Sequence, residues 1–424
     1  MLGLGLFFAC HFSSHWIIMQ TYLVGGAVRD ALLNIAIKDR DWVVVGSTPA
    51  ELISLGYSQV GADFPVFLHP KSKEEYALAR TERKSGRGYQ GFNCDFNPDI
   101  TLEEDLMRRD LTVNAMAQTD DGSIVDPYNG QQDIKGKKLR HVSEAFSEDP
   151  LRVLRVARFA ARFAHLGFTI ADETLELMRY IAKSGELALL TPERVWQETE
   201  RALGESQPWV YFKALRDCNA LAIIFPELDN LFGIPQPEKH HPEIDCGVHT
   251  LMVLEQASKL STDINIRWAS LLHDLGKGLT REDLLPSHPG HEQSGEKLVI
   301  KVNERLKTPN EFKDLSRLVC VYHTHVHRAF ELKPQTLLNF FNNIDLWRKP
   351  ERLQQILIAC KADSRGRTGF ENVEYSQVEY ITEIAKACLG ISAKKFVEMG
   401  IKGKAIGEAM AQERIDVIAR FKKR

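Results

Sequence analysis

The chain has no CxxC pair, no Walker-type GxxxxGK[ST] loop, no surplus of positive charge, and no internal repeat or low-complexity tract. Each absence removes a class. Seven cysteines, at 10, 94, 218, 246, 320, 360 and 388, are scattered and odd in number. They exclude a disulfide framework and a cysteine-built zinc site, and they point to a reducing, cytoplasmic setting. Without a Walker loop the chain is not a P-loop NTPase. A formal net charge of -3 gives no global attraction to nucleic acid, so any such contact must come from local basic patches. One apolar stretch stands out at residues 1–18, MLGLGLFFACHFSSHWII. It has no basic n-region, is broken by His11 and His15, precedes no cleavage site, and is marginal in length for a membrane span. We expect it to be a non-native extension, with Met19 opening the first domain and no membrane association.

What remains is a large globular chain. Its 424 residues exceed one ordinary domain, and 44% apolar with 26% charged residues are ordinary for a globular protein. The runs YLV (22–24), WVVV (42–45), PVFL (65–68) and YALA (76–79) predict short strands, with a helix over 27–34. Residues 84–98, rich in glycine and polar groups, read as a mobile loop beside the sheet. Beyond residue 140 helical periodicity takes over. The fold class expected is α+β, a small sheet-bearing head before a mostly helical body. Breaks at 232–247 and 364–375 divide that body, and two functional units are expected to separate near residue 230.

The head carries a chemical pattern. Gly25 and Gly26 lie between a predicted strand and helix, where backbone N–H groups can approach a phosphate, and Arg29 follows in the first helical turn. Ten residues on, Asp39 and Asp41 sit two apart at the start of a β-branched run. Placed in a strand they would share a face, and two adjacent carboxylates call for a divalent cation between them. A polar strand entrance with Lys38 and Arg40 as partners reads equally well. Together, the glycine turn and the carboxylates suit in-line attack of a hydroxyl on the α-phosphorus of a nucleoside triphosphate. Further along, Arg152, Arg155, Arg158 and Arg162 recur at helical spacing and repel one another unless anions compensate.

The ordered series GGAVRD, DRD, RRDLTVNA (108–115) and EDPLRVLRVARF (148–159) resembles the bacterial class II CCA-adding tRNA nucleotidyltransferases of the polymerase β-like superfamily. The likeness runs from about Met19 nearly to the C-terminus. It implies a nucleotidyltransferase head with a mixed sheet over 19–140 and a helical nucleotide-selecting and tRNA-binding region over 141–232. It also implies ATP, CTP and the tRNA acceptor arm as partners, in a monomer or homodimer. Asp39 and Asp41 would be catalytic ligands of Mg²⁺, while Gly26, Arg29, Arg109, Asp149, Arg152, Arg155 and Arg158 would bind nucleotide. Cytosine and adenine share an amine donor beside a ring-nitrogen acceptor, so a carboxylate with a guanidinium, Asp149 with Arg152, can mimic a template edge and refuse uracil and guanine. Glu74 and Glu75 are candidates for a third carboxylate, and Asp110 for a cap or for orienting Arg109.

A second pattern lies in the body. His273 and Asp274 close the apolar segment WASLLHDLGKG, with His249 upstream and Asp363 downstream. The order H…HD…D resembles the HD phosphohydrolase superfamily, which implies a domain over 245–365. There His249, His273, Asp274 and Asp363 would hold a transition metal, with Mn, Ni, Co and Zn all suited to mixed imidazole and carboxylate ligands. His288, His291 and His323 add possible ligands, whereas His325 and His327 read as ordinary satisfied histidines. Bacterial members with such a domain resemble multifunctional enzymes with phosphodiesterase and phosphatase activity. In the tail, 366–424, Lys394, Lys395, Lys402 and Lys404 suit a phosphate backbone. The rival readings are a poly(A) polymerase, or an HD phosphohydrolase whose head merely senses a nucleotide.

Overall fold

The computed structural model describes residues 19–60, 66–84 and 92–422, so the expectation for residues 1–18 lies outside the described residues. The chain forms two compact units, one ending at Asp149 and one spanning Pro150–Arg424.

In the first unit, strands β1 (Gln20–Val24), β2 (Asp41–Val45), β3 (Ser58–Val60), β4 (Val66–Leu68), β5 (Glu75–Leu78), β8 (Ala117–Gln118) and β9 (Ile124–Val125) form one sheet in the order β3-β4-β5-β2-β1-β8-β9. Only β2 with β5 is parallel among the pairs described, so the sheet is mixed. The WVVV run sits at its centre because both faces are covered. Val43 joins Val24, Ala79, Ile100 and Leu106 on one side, and Val44 joins Leu52, Phe67 and Leu78 on the other. Trp42 stacks on its ladder partner Tyr76 at 5.4 Å, an aromatic pair that pins the register. Helices α1 (Gly26–Leu32), α2 (Pro49–Ser54), α3 (Leu102–Met107) and α4 (Gly130–Gly136) complete the head. Thr48 and Thr101 open α2 and α3 with capping boxes to Glu51 and Glu104. The stretch read as a loop is flanked by a hairpin of β6 (Thr81–Lys84) and β7 (Phe92–Asp95), so strand structure enters it from both sides.

The second unit is helical. Its first part holds α5 (Leu151–Phe163), α6 (Asp172–Lys183), α7 (Pro192–Leu203), α8 (Trp209–Asp217), α9 (Leu221–Ile224) and α10 (Pro226–Asp229). Next come α11 (Cys246–Leu260), α12 (Ile264–Leu272), α13 (His291–Leu306), α14 (Asn310–His327), α15 (Pro334–Asn343) and α16 (Glu351–Arg365). The chain ends in α17 (Gln377–Leu389), α18 (Ala393–Glu398) and α19 (Lys404–Phe421). The division expected near residue 230 falls on the loop that follows α10, inside the second of the two compact units. Aromatic packing runs straight across it. Trp196 of α7 meets Trp268 of α12 at 5.2 Å and Phe312 of α14 at 4.8 Å. Buried Arg267 adds hydrogen bonds to the carbonyls of Leu203, Glu205, Ser258 and Ser261. The break at 364–375 does fall between helices, α16 and α17.

Candidate active sites

In the head, ladder register gathers the pattern at one sheet end. Val24, just before Gly25, pairs with Asp41, and Asp41 pairs on its other side with Glu75. The glycine turn, one aspartate and a third carboxylate therefore stand in one row. Asp39 arrives differently from expectation: β2 begins at Asp41, so Asp39 belongs to the preceding loop rather than to the same strand face. Both line a cleft of about 630 Å³ with Lys38, Arg40, Glu74 and Glu75. Desolvation raises the Asp41 carboxyl above the ordinary range, Arg109 opposes that, and the Asp39 charge adds to it. Hard oxygens that repel one another in an open cleft fit Mg²⁺.

Arg109 lies over the glycine turn, and a Cβ on Gly25 would come within 2.8 Å of its Nη1. Gly25 has φ +66°, a region that suits glycine. Asp105, fully buried, holds Arg109 through Nη2 at 3.1 Å and Arg108 at 2.6 Å. Burial would raise the Asp105 pKa, but the two guanidiniums outweigh it and hold it below the ordinary value. Sequence reasoning missed Asp105, although its i, i+3 and i+4 spacing to Arg108 and Arg109 was the signal. Asp110 does not orient Arg109. It accepts from Leu111 N and Asn114 Nδ2, capping the turn that follows. Arg29 is buried at 4% exposure, bound by Asp30 at 2.7 Å and by the Asn114 amide oxygen. Its place is inside this polar chain, beneath the turn rather than out in the cleft.

Pro150 precedes α5, and Asp149 is extended, so Glu148 and Asp149 stand just outside that helix. The arginines of α5 are not a solvated stripe. Arg152 and Arg158 are buried, and the anion that meets Arg158 is Glu198 of α7. Its Oε2 takes Arg158 Nε at 2.6 Å, and Oε1 lies 3.9 Å from both Arg155 and Arg201. Arg158 also packs over Phe159 at 4.5 Å.

The second site is built where α11, α12, α14 and α16 converge. Helix α12 ends at His273, the chain turns through Asp274, and a short turn carries Lys277 back. His249 Nε2 lies 3.2 Å from Asp363 Oδ1 and 3.9 Å from Asp274 Oδ2. His273 Nε2 lies 3.0 Å from Asp274 Oδ2 and 3.7 Å from Asp363 Oδ2. All four predicted ligands therefore meet, and His249, His273 and Asp363 can hold one ion. Their other ring atoms are spoken for: His273 Nδ1 faces Ser270 O at 2.7 Å, and His249 Nδ1 faces Gly366 O and Glu243 Oε1, each at 3.0 Å. His273 Nε2 is buried without a hydrogen-bond partner, as a ligand atom would be. Burial alone would raise Asp274 and Asp363, yet the adjacent imidazoles and, at Asp274, Lys277 hold both well below the usual carboxylate range. For His249, burial opposes charge but Asp363 and Glu243 prevail, pushing it up to about 9. Such stored negative charge fits a transition metal.

The chain matches the poly A polymerase head domain over residues 21–140, a probable RNA- and SrmB-binding site of polymerase A over 167–232, and the HD domain over 247–365. Multifunctional CCA proteins of Hahella chejuensis and Thioalkalivibrio sulfidiphilus are each 58% identical over 404 residues, spanning 95% of this chain and 96% and 99% of those proteins. The chain belongs to the multifunctional CCA protein family. The fold of a Thermotoga maritima CCA-adding enzyme complexed with tRNA is also similar, with TM-score 0.60 at 20% identity, covering 95% of this chain and 90% of that one.

Within this family member, one satisfied histidine also reaches the site. His327 is part of the HD site: its Nε2 lies 2.6 Å from Asp363 Oδ2, and Tyr375 Oη meets its Nδ1 at 2.7 Å. Its i, i+4 relation to His323 on α14 was the available signal. His325 stays outside, edge-on to Tyr322, and His288 is satisfied by Thr280 and Pro235 O. In the tail, Lys394, Lys395 and Lys404 each have a glutamate partner, Glu398, Glu413 and Glu408, which trims the basic patch. No described helix is long and apolar enough to cross a membrane.

Proposed function

We propose that the chain completes and repairs the 3′-terminal CCA of tRNA from CTP and ATP with release of pyrophosphate, and that its HD unit hydrolyses phosphoesters. The observation that carries the reading is near full-length kinship to multifunctional CCA proteins in a chain whose Asp39 and Asp41 line the head cleft. Asp39 and Asp41 would hold Mg²⁺, which would supply Lewis acidity toward the attacking 3′-hydroxyl and positive charge for the leaving pyrophosphate. Gly26 admits the triphosphate through its backbone, and Arg109, held by Asp105, binds it. Arg29 acts from below by fixing Asn114 and the turn. The choice of base is assigned to Asp149 and Arg152 on edge chemistry alone: a mismatched base leaves donors or acceptors unpaired. Arg155 and Arg158 provide nearby positive charge against Glu198. The helical body with its remaining tail lysines grips the acceptor arm by phosphate and shape.

In the HD unit, His249, His273, Asp274 and Asp363 would hold a transition metal, nickel among the candidates, that would supply Lewis acidity toward a phosphoryl group. The proposed substrates are 2′,3′-cyclic phosphodiesters and 2′-nucleotides. The test incubates tRNA lacking its 3′ end with Mg²⁺, CTP and ATP and sequences the new termini, for wild type beside Asp41→Ala. Ends in CCA, lost in the variant while phosphatase activity persists, are expected. Oligo(A) ends would make the head a poly(A) polymerase, and no extension would leave the HD unit as the principal enzyme.

A further inference from the structure

We infer that the cavity of the HD unit selects nucleotides, seating the base on Phe370 and Val373 and the phosphate against Arg367. The loop that follows α16 forms one wall of this cavity of about 620 Å³, whose lining also includes Asp274 and Asp363. That wall is braced along its length. A Cβ on Gly366 would come within 2.5 Å of Val253, so the loop leaves α16 pressed against α11. Arg365 Nε donates to Val373 O at 3.0 Å, and Thr368 N donates to Glu243 Oε2 at 3.3 Å. At the far end Tyr375 is buried, and Gln377 Nε2 donates to His327 O at 3.1 Å. Two apolar side chains in this wall nonetheless stay open, Phe370 at 36% exposure and Val373 at 38%. Apolar surface held open inside a cavity is surface that a ligand can cover.

Arg367 puts a charge beside that surface. Its guanidinium lies 5.3 Å from the centroid of the Phe370 ring. Nε donates to Ser364 O at 3.0 Å, Nη2 to Ser364 Oγ at 3.2 Å, and Nη1 to His240 O at 3.3 Å. These acceptors are all neutral, and they fix the group without cancelling its charge. A guanidinium carries more N–H groups than these bonds use, so donors remain for a ligand oxygen. The other long cations in the lining are already paired, Lys277 with Asp274 at 2.7 Å and Arg328 with Glu331 at 2.8 Å. Among the described residues Arg367 meets no carboxylate.

A fixed guanidinium beside an open aromatic ring matches an anion joined to a flat ring system. A nucleotide is such a ligand: its base covers Phe370 and Val373, and its phosphate oxygens accept from Arg367. A phosphoester without a base offers Arg367 the same anion but leaves Phe370 uncovered. Preference for nucleotides therefore comes from the loop after α16 rather than from the histidines and aspartates deeper in the cavity.

The inference rests on the HD unit being a phosphohydrolase, and two readouts separate them. Full-length wild type, Phe370→Ala, Phe370→Leu and Arg367→Gln are assayed with Mn²⁺ on adenosine 2′-phosphate and on glycerol 2-phosphate. Binding of adenosine 2′-phosphate is followed in parallel by equilibrium dialysis. Wild type should favour the nucleotide in kcat/KM by about tenfold or more, the worth of one stacked base. Phe370→Ala should lower that ratio about tenfold, chiefly through KM, and Phe370→Leu should fall between. Arg367→Gln should raise KM for both esters and keep the ratio. The same ratio in wild type and Phe370→Ala would overturn the base seat and leave the hydrolase standing. No hydrolysis by any form would overturn the hydrolase. Weaker binding by Phe370→Ala would then still uphold the seat, and equal binding would overturn it too. Phe370 is already open to solvent, so Phe370→Ala should melt with wild type.

Discussion

Arg158 Nε lies 2.6 Å from Glu198 Oε2, and both side chains are buried. Glu198 also lies 3.9 Å from Arg155 and Arg201, so its loss should be felt beyond one contact. Removing it leaves Arg158 as an unpaired buried charge, which costs about 3–5 kcal/mol. Glu198→Ala should lower the urea midpoint of the second unit by a corresponding amount. The double variant Glu198→Leu with Arg158→Leu should recover most of that loss, because no charge is then stranded. A double variant as unstable as the single would show that Glu198 acts through something other than charge.

Asp105 gives a prediction with a pH sign. It fixes Arg109 through a charge-assisted hydrogen bond, an interaction of about 1.5–3 kcal/mol. Asp105→Asn should raise KM for CTP and ATP by about tenfold or more, with a smaller effect on kcat. Since the folded pKa lies below the unfolded value, Asp105 stabilises the head above pH ~4, and this contribution fades as pH falls through the folded pKa. Between pH 5 and pH 3 the wild-type head should therefore lose stability faster than Asp105→Asn, as followed by thermal unfolding.

What could be read in advance was local. The WVVV strand announces itself because both of its faces are buried, and the HD dipeptide because an apolar helix runs into a glycine-rich turn. What escaped was set by distant partners. Four arginines at helical spacing call for a compensating anion, but nothing near them in the chain points to Glu198, 40 residues beyond Arg158. Asp39 and Asp41 look like one strand face, but strand pairing starts at Asp41, and a strand's first residue depends on its neighbours. His327 read as an ordinary satisfied histidine because nothing nearby in the chain foretells that its partners are Asp363 and Tyr375. The prolines of 232–247 lie where one family match ends and the next begins, and Trp196 and Trp268 pack across that break.

Glu243 should tune the candidate metal position at His249 in the HD unit. Its Oε1 lies 3.0 Å from His249 Nδ1, where it shares the ring hydrogen with Gly366 O. Loss of such an orienting partner usually costs 10–100-fold in metal affinity. Because Gly366 O still fixes the tautomer, Glu243→Ala should fall near the lower end, about tenfold, in competition with a metal chelator. Glu243→Gln should fall between wild type and alanine, since an amide oxygen still accepts. A hundredfold loss in Glu243→Ala would mean that the backbone carbonyl cannot hold the ring alone.

Gly25 and Gly26 are neighbours with different reasons for being glycine, and substitution should separate them. Gly25 has φ +66° and ψ -120°, a conformation that costs other residues about 1–3 kcal/mol, and its Cβ would fall 2.8 Å from Arg109 Nη1. Gly25→Ala should therefore destabilise the head and push Arg109 off its seat on Asp105, with nucleotide addition falling by about tenfold or more. Gly26 starts α1, and its added Cβ would meet only Arg29 Nη2 at 3.5 Å, an ordinary contact. Gly26→Ala should fold as wild type, and alanine is the better helix former. Any loss of CCA addition in Gly26→Ala at unchanged melting temperature then measures close approach of a phosphate to the backbone. Full activity in Gly26→Ala would move the phosphate contact from the turn to Arg109.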